Sequence, residues 1–176
     1  MRIREATIDD IEGIASVHIQ AWKETYKGII SDGVLSSLNM EQKIKQWMHI
    51  VHEQEKNNGQ TIVAVNSDEK IIGFAHFGKE RTGKYSVGGE LTAIYILKKY
   101  HRKGIGRALL NHGVRYLMDN GYNSLLVWVL SENPSKAFYE GFYPIELDRE
   151  WIQIGEKKHE EIAYGWKDIK DLQRKI

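Results

Sequence analysis

Two stretches of unbroken apolar character, ELTAIYIL at 90 to 97 and SLLVWVL at 124 to 130, bracket a helix-like segment that opens behind a pair of glycines. A strand with one wet face alternates polar and apolar residues, so runs like these read as central strands covered on both sides. Between them Ile105, Ala108, Leu109, Tyr116 and Leu117 recur at helical spacing, and Asn120 and Gly121 supply a stop signal. Strand, helix and strand within about 40 residues form a βαβ unit. The two strands are expected to be parallel neighbours joined by a right-handed crossover. That unit sets the fold class as α/β, with α+β character from what flanks it.

The flanks supply more strands and helices. RIREA at 2 to 6 reads as a first strand, and Thr7 with Asp10 as a capping pair for a helix carrying Ile11, Ile14, Ala15, His18, Trp22 and Thr25 on one stripe. That helix should end near Tyr26, where a glycine-containing segment breaks it. Asn39 to Gln42 opens a second helix whose Ile44, Trp47, Met48 and Val51 share a face. TIVAVN (61 to 66) and IIGFAHFGK (71 to 79) read as a hairpin, and 81 to 89 as a polar loop. ENPSKAFYEGF holds a brief helix with Pro134 in its first turn, and REWIQI with HEEIAYGW closes the sheet as a second hairpin. No repeat, low-complexity tract or linker interrupts residues 1 to 176, so a single domain is expected.

Charge excludes several partners. With 25 basic and 24 acidic residues the chain has no global field for nucleic acid or an anionic membrane. The longest apolar run, Leu125 to Leu130, is far below a membrane span. MRIREATIDD has charges where a signal peptide carries its apolar region, and the chain lacks cysteine, which removes disulfides, thiolate metal sites and thiol nucleophiles. A cytoplasmic protein is expected. His49 and His52 lie three apart without an acidic or cysteine companion, so no metal site is expected.

The concentrated basic segment is KKYHRKGIGR, around Gly104 and Gly106. A P-loop needs four residues between its glycines and a Lys followed by Ser or Thr, and neither is present. A dinucleotide fingerprint needs a small residue where Leu109 stands and an acid at the end of the next strand, where this chain has Leu130 and Ser131. What the residues do support is a helix N-terminus with uncovered N–H groups, a general anion site. The other reading is that the glycines only let the helix pack closely.

The run LTAIYILKKYHRKGIGRALL, followed by Asn133 and then Phe138, Tyr139, Glu140, Gly141 and Phe142, resembles the GNAT superfamily of acyl-CoA N-acyltransferases over nearly the whole chain. His101 stands where that family usually has Gln or Arg, and the FYE to GF spacing is shorter than the common pattern. AWKETYKGIISDGVL is similar to a bacterial subgroup acting on small molecules or peptides. The resemblance implies a mixed central sheet of about six to seven strands flanked by about four helices, with a splayed parallel pair at the cofactor site. It implies acetyl-CoA as cosubstrate, with pyrophosphate at Arg102, Lys103, Gly104, Ile105, Gly106 and Arg107, the pantetheine arm along Ile94, Tyr95 and Ile96, and Asn133 as a further contact.

The implied reaction is direct attack of a primary amine, of a small molecule or a peptide, on the thioester in a ternary complex. An amine with a pKa of about 10.4 is neutral in only about one molecule in two thousand at pH 7, so a base or a desolvating pocket is needed. The resemblance gives Tyr139 as the acid for the thiolate, and Glu90 or a water chain as the base. Trp22, Tyr26 and His18 either wall the acceptor side or belong to the core. A non-catalytic acyl-CoA sensor is the alternative, and a homodimer through the edge of the last hairpin is open.

Overall fold

The computed structural model describes every residue from Met1 to Ile176. Its seven strands are β1 (Arg2–Glu5), β2 (Gln60–Val65), β3 (Ile71–Lys79), β4 (Gly89–Ile96), β5 (Leu125–Leu130), β6 (Ile145–Ile154) and β7 (Lys157–Trp166). They form one sheet in the order β1-β2-β3-β4-β5-β7-β6. Only β4 and β5 pair in parallel, as the apolar runs and the helix between them require; every other pair is antiparallel.

Six helices cover the faces: α1 (Ile11–Tyr26), α2 (Asp32–Ser36), α3 (Met40–Glu53), α4 (Ile105–Asp119), α5 (Lys136–Glu140) and α6 (Ile169–Lys175). The Thr7–Asp10 pair does open α1, but through the Asp10 carboxylate, with the Thr7 hydroxyl donating to it and not accepting a helix N–H. Asp10 Oδ2 accepts the Thr7 N–H at 2.8 Å and is also gripped by Arg4, so a short 3-10 turn leads into the helix. Asn39 caps α3 by accepting the Gln42 N–H at 3.0 Å. The helices α2 and α6 and the first half of β6 go beyond the expected elements.

One core lies under α4 and α6, where Leu109, Leu110, Leu117 and Leu172 are fully buried. Each such leucine contributes about 1.5–3 kcal/mol by leaving water. A second core joins Ile14 and Ala15 of α1 and Trp47 of α3 to Val63 and Phe74 on the opposite face. A third, smaller cluster of Tyr26, Ile30, Leu35 and Leu130 closes the end of β5. Outermost in the sheet is β6, which leaves Trp151 and Ile145 exposed along the edge of the last hairpin.

The contact of α4 with β3 depends on Gly113. A Cβ there would overlap the ring of Phe77, which is completely buried and has nowhere to move. Gly113→Ala is therefore expected to lower unfolding free energy by about 1–3 kcal/mol, although alanine is intrinsically the better helix former by about 1 kcal/mol. Urea denaturation measures the change, and a variant as stable as the parent would show that the helix can lift off without loss.

Candidate active site

The site begins with a break in the sheet. Pairing between β4 and β5 covers three positions, Gly89 with Leu125, Glu90 with Leu126 and Leu91 with Val127, and then stops. Thr92 is an extra residue in β4, because β3 pairs Phe77 with Leu91 and His76 with Ala93. A bulge of this kind bends its strand. The bend falls where pairing to β5 ends, while β5 itself stays paired to β7 through Leu130. The β5-facing backbone edge from Thr92 to Ile96 therefore has no strand partner, and unpaired peptide groups need other acceptors and donors. Ile94 and Ile96 pack toward the α4 face, Tyr95 toward the α1 face.

The chain leaves β4 through a 3-10 turn at Lys98–Tyr100 and enters α4 by way of Arg102 and Gly104, both with positive φ, at 57° and 79°. A Cβ on Gly104 would meet open space, so the glycine serves the backbone conformation and the clear approach rather than close packing. The first intrahelical bond is from the Ala108 N–H to the Gly104 carbonyl, which leaves the N–H groups of Ile105, Gly106 and Arg107 without helical acceptors. Gly106 is different: a Cβ there would touch Ile96 and Phe138 at 3.4 Å. The side chains divide. Arg102 is exposed, and Lys103 lies over the Tyr100 ring. Arg107 donates to the carbonyl oxygens of Lys175 and Ile176, and its guanidinium covers Phe142. His101 makes a 2.8 Å hydrogen bond to the Ile96 carbonyl through Nε2, tying the loop back to β4. Glu24 of α1 accepts the Lys98 N–H at 2.7 Å and holds the same turn from the other side.

Tyr139 sits on α5 at the end of β5. The helix is short but pinned: Tyr164 of β7 donates to Glu140, and Trp166 Nε1 donates to the Phe142 carbonyl at 2.9 Å. Tyr139 is 6% exposed, and its hydroxyl has no hydrogen-bond partner within the protein. Burial pushes its pKa up, with Tyr95 adding to the effect. Asn133 lies at the start of the same turn with its amide spent internally: Oδ1 accepts the Ser135 N–H at 2.8 Å and Nδ2 donates to the Tyr26 hydroxyl at 3.3 Å. It ties the β5–α5 turn to α1.

Glu90 opens β4 on the opposite side of the break from the glycine loop. Its side chain is 2% exposed and is held by Arg81, whose Nη2 reaches Oε1 at 2.6 Å and whose backbone N–H also donates to it. Three further carboxylates share this end of the sheet. Glu150 pairs across the hairpin with Glu161, and Lys84 bridges Asp148 and Glu150. The Glu161 carboxyl is pushed up by burial and by the charge of Glu150. Tyr85 donates to Asp148 and packs edge-on against Trp128 of β5. These acids become neighbours through the two-residue Gly155–Glu156 turn, which fixes the register of β6 and β7; the alternating pattern of EWIQIGEKKHEEIAYG is the signal that would have found them.

The residues of α1 resolve into core and wall. His18 is buried, stacked on Tyr95 at 4.7 Å, and accepts the Trp47 Nε1–H through Nδ1 at 2.9 Å. Its pKa is pushed down to about 3 by burial and the nearby Lys43 charge, so the ring is neutral with its proton on Nε2. Trp22 is half-buried and meets Tyr26 edge-on.

The match to known proteins agrees with this architecture. The model of the Acetyltransferase (GNAT) family matches residues 20–142. An uncharacterized N-acetyltransferase of Bacillus subtilis, YuaI, is 37% identical over 97% of this chain and 95% of its own length. A spermidine N(1)-acetyltransferase of Thermoplasma acidophilum is 26% identical over 91% of this chain and 98% of its own. Among solved structures, the PaiA N-acetyltransferase of Thermoplasma acidophilum in complex with coenzyme A has the same fold, with a TM-score of 0.71 at 21% identity over 92% of this chain and 96% of that one. With its parted parallel strands, its glycine-led α4 and a family match over most of its length, the chain belongs to the GNAT family of acetyltransferases.

Proposed function

We propose that the protein moves the acetyl group of acetyl-CoA to a primary amine of a small molecule or peptide, by direct attack while both substrates are bound. The observation that carries this reading is the break between β4 and β5, with unpartnered backbone on one side and the Tyr139 hydroxyl near its end. In this reading the N–H groups of Ile105, Gly106 and Arg107 and the loop at Arg102, Lys103 and Gly104 hold the pyrophosphate, helped by the helix dipole. Backbone groups of Ile94 and Ile96, which turn toward the break, pair with the amides of the pantetheine arm, while Tyr95 between them keeps β4 bonded to β3. Asn133 contributes by fixing the turn that carries Tyr139. Tyr139 gives its proton to the sulfur as the carbon–sulfur bond breaks. Acidic side chains and Trp128 on the α1 face suit a cationic acceptor, and the relative named for spermidine makes polyamines the first class to assay.

Calorimetric titration of coenzyme A tests the donor assignment. Gly106→Trp places a bulky ring against Ile96 and Phe138 at the mouth of the break and is expected to weaken coenzyme A at least tenfold; unchanged affinity would contradict the assignment. Thiol release with spermidine, amino acids, aminoglycosides and peptide N-termini then ranks acceptors, and no release above the rate with water for any amine would contradict the transfer itself.

For the base, we propose Glu90, which requires Arg81 to swing away before the carboxylate can take the proton of the amine. Glu90→Gln should then reduce kcat by about a hundredfold, within the range of general-base catalysis, while Arg81→Ala leaves kcat within a few-fold. Equal losses in the two variants would assign the pair to holding the β3–β4 loop and leave the proton to water.

A further inference from the structure

The peptide groups of β4 divide between its two sides. Leu97 donates its N–H to the Ile72 carbonyl at 3.0 Å, and the alternation of an antiparallel pair then turns Ala93 and Tyr95 toward β3 and Ile94 and Ile96 toward the break. The Ile96 carbonyl is therefore the last acceptor that β4 presents to the break, and it is already in use: His101 Nε2 lies 2.8 Å from it. A carbonyl oxygen can only accept, so the imidazole carries a proton on Nε2 and donates it. His101 itself is exposed, which puts this bond at the rim of the break and outside the core.

The chain that follows His101 takes conformations that need support. Arg102 has φ of 57°, a region disfavoured for a residue with a long side chain, and Gly104 has φ of 79°. Such a segment persists where fixed points around it over-determine its shape. Glu24 of α1 accepts the Lys98 N–H at 2.7 Å, the Tyr100 N–H donates to the Leu97 carbonyl at 2.8 Å, and the His101 side chain reaches back to Ile96. The first two hold the 3-10 turn. The third ties the residues entering α4 to the edge of β4.

We propose that His101 is a positioning residue for the donor: by clamping the Ile96 carbonyl it sets the spacing between two halves of one site, the backbone edge of β4 and the N–H groups of Ile105, Gly106 and Arg107. Coenzyme A has to span both halves, with amides along its arm and a pyrophosphate beyond them. A ligand that bridges two subsites gains fully from both when their separation matches its own length. A loop fixed beforehand also spares the cost of ordering it on binding. In this role His101 acts through Ile96 and the loop, without contacting the phosphates. The inference rests on the break holding the donor and concerns what keeps that site in shape.

The test compares coenzyme A with ADP, which carries the pyrophosphate without the arm, by NMR and calorimetric titration of the parent, His101→Ala and His101→Gln. His101→Ala should weaken coenzyme A about fivefold to tenfold, near the worth of one hydrogen bond, while ADP affinity stays within about twofold of the parent. Glutamine also carries an N–H donor, so His101→Gln should bring coenzyme A back to within about threefold of the parent. Equal losses for coenzyme A and ADP would make His101 a phosphate contact, and an unchanged coenzyme A affinity in His101→Ala would make its bond to Ile96 incidental; either result overturns the role. A loss that His101→Gln fails to recover counts against the hydrogen bond, and ADP that does not bind the parent removes the separate pyrophosphate half and the inference with it. A parent that binds no coenzyme A overturns the donor reading itself, so the two failures are told apart.

Discussion

A single extra residue, Thr92, governs the architecture of the site. Strands β4 and β5 would otherwise be an ordinary parallel pair in a seven-stranded sheet, with their peptide groups mutually satisfied. The bulge bends β4 away after Leu91 while β5 remains anchored to β7, so the sheet opens along one seam. Everything assigned to chemistry borders that seam. The unpaired edge of β4 runs along it, the free N–H groups of α4 stand at its wide end, and α5 brings Tyr139 to its β5 side. An opening in a sheet is costly to leave unfilled, because unmatched backbone groups lose hydrogen bonds that water supplies poorly in a narrow cleft. An extended ligand with amide groups of its own is the natural complement.

The two ends of the seam differ in charge. The α4 end combines a helix N-terminus with Arg102 and Lys103, which favours anions. The far end and its α1-facing side gather Glu90, Asp148, Glu150 and Glu161, partly neutralised by Arg81 and Lys84. A chain with 25 basic and 24 acidic residues shows none of this in its net charge. The separation arises because the basic residues are contiguous in sequence before α4, whereas the acids come from β4, β6 and β7 and meet only through strand register.

The same distinction explains what was legible beforehand. The βαβ unit could be read because two apolar runs and one amphipathic helix each carry a local signal, and the Asn39 and Thr7–Asp10 caps follow from side-chain chemistry within four positions. Five-residue α2 is too short for periodicity to reveal, and the first half of β6 begins with exposed residues that lack an apolar stripe. Tyr139 and the glycines were found through motif likeness. The contacts that hold the Tyr139 helix in place were not, since Tyr164 and Trp166 reach Glu140 and Phe142 from 24 positions away in sequence. What motif likeness does not convey is the side-chain partners of Asn133 and Arg107: the amide of the first is tied to Ser135 and Tyr26, and the guanidinium of the second reaches Lys175 and Ile176.

That the seam is the donor site can be tested by amide hydrogen exchange with and without coenzyme A. Protection is expected in two separated segments, 92 to 96 on β4 and 104 to 107 at the start of α4, with β2 and β6 unchanged. Protection elsewhere, with neither segment affected at saturating coenzyme A, would contradict the placement of the donor between the parted strands.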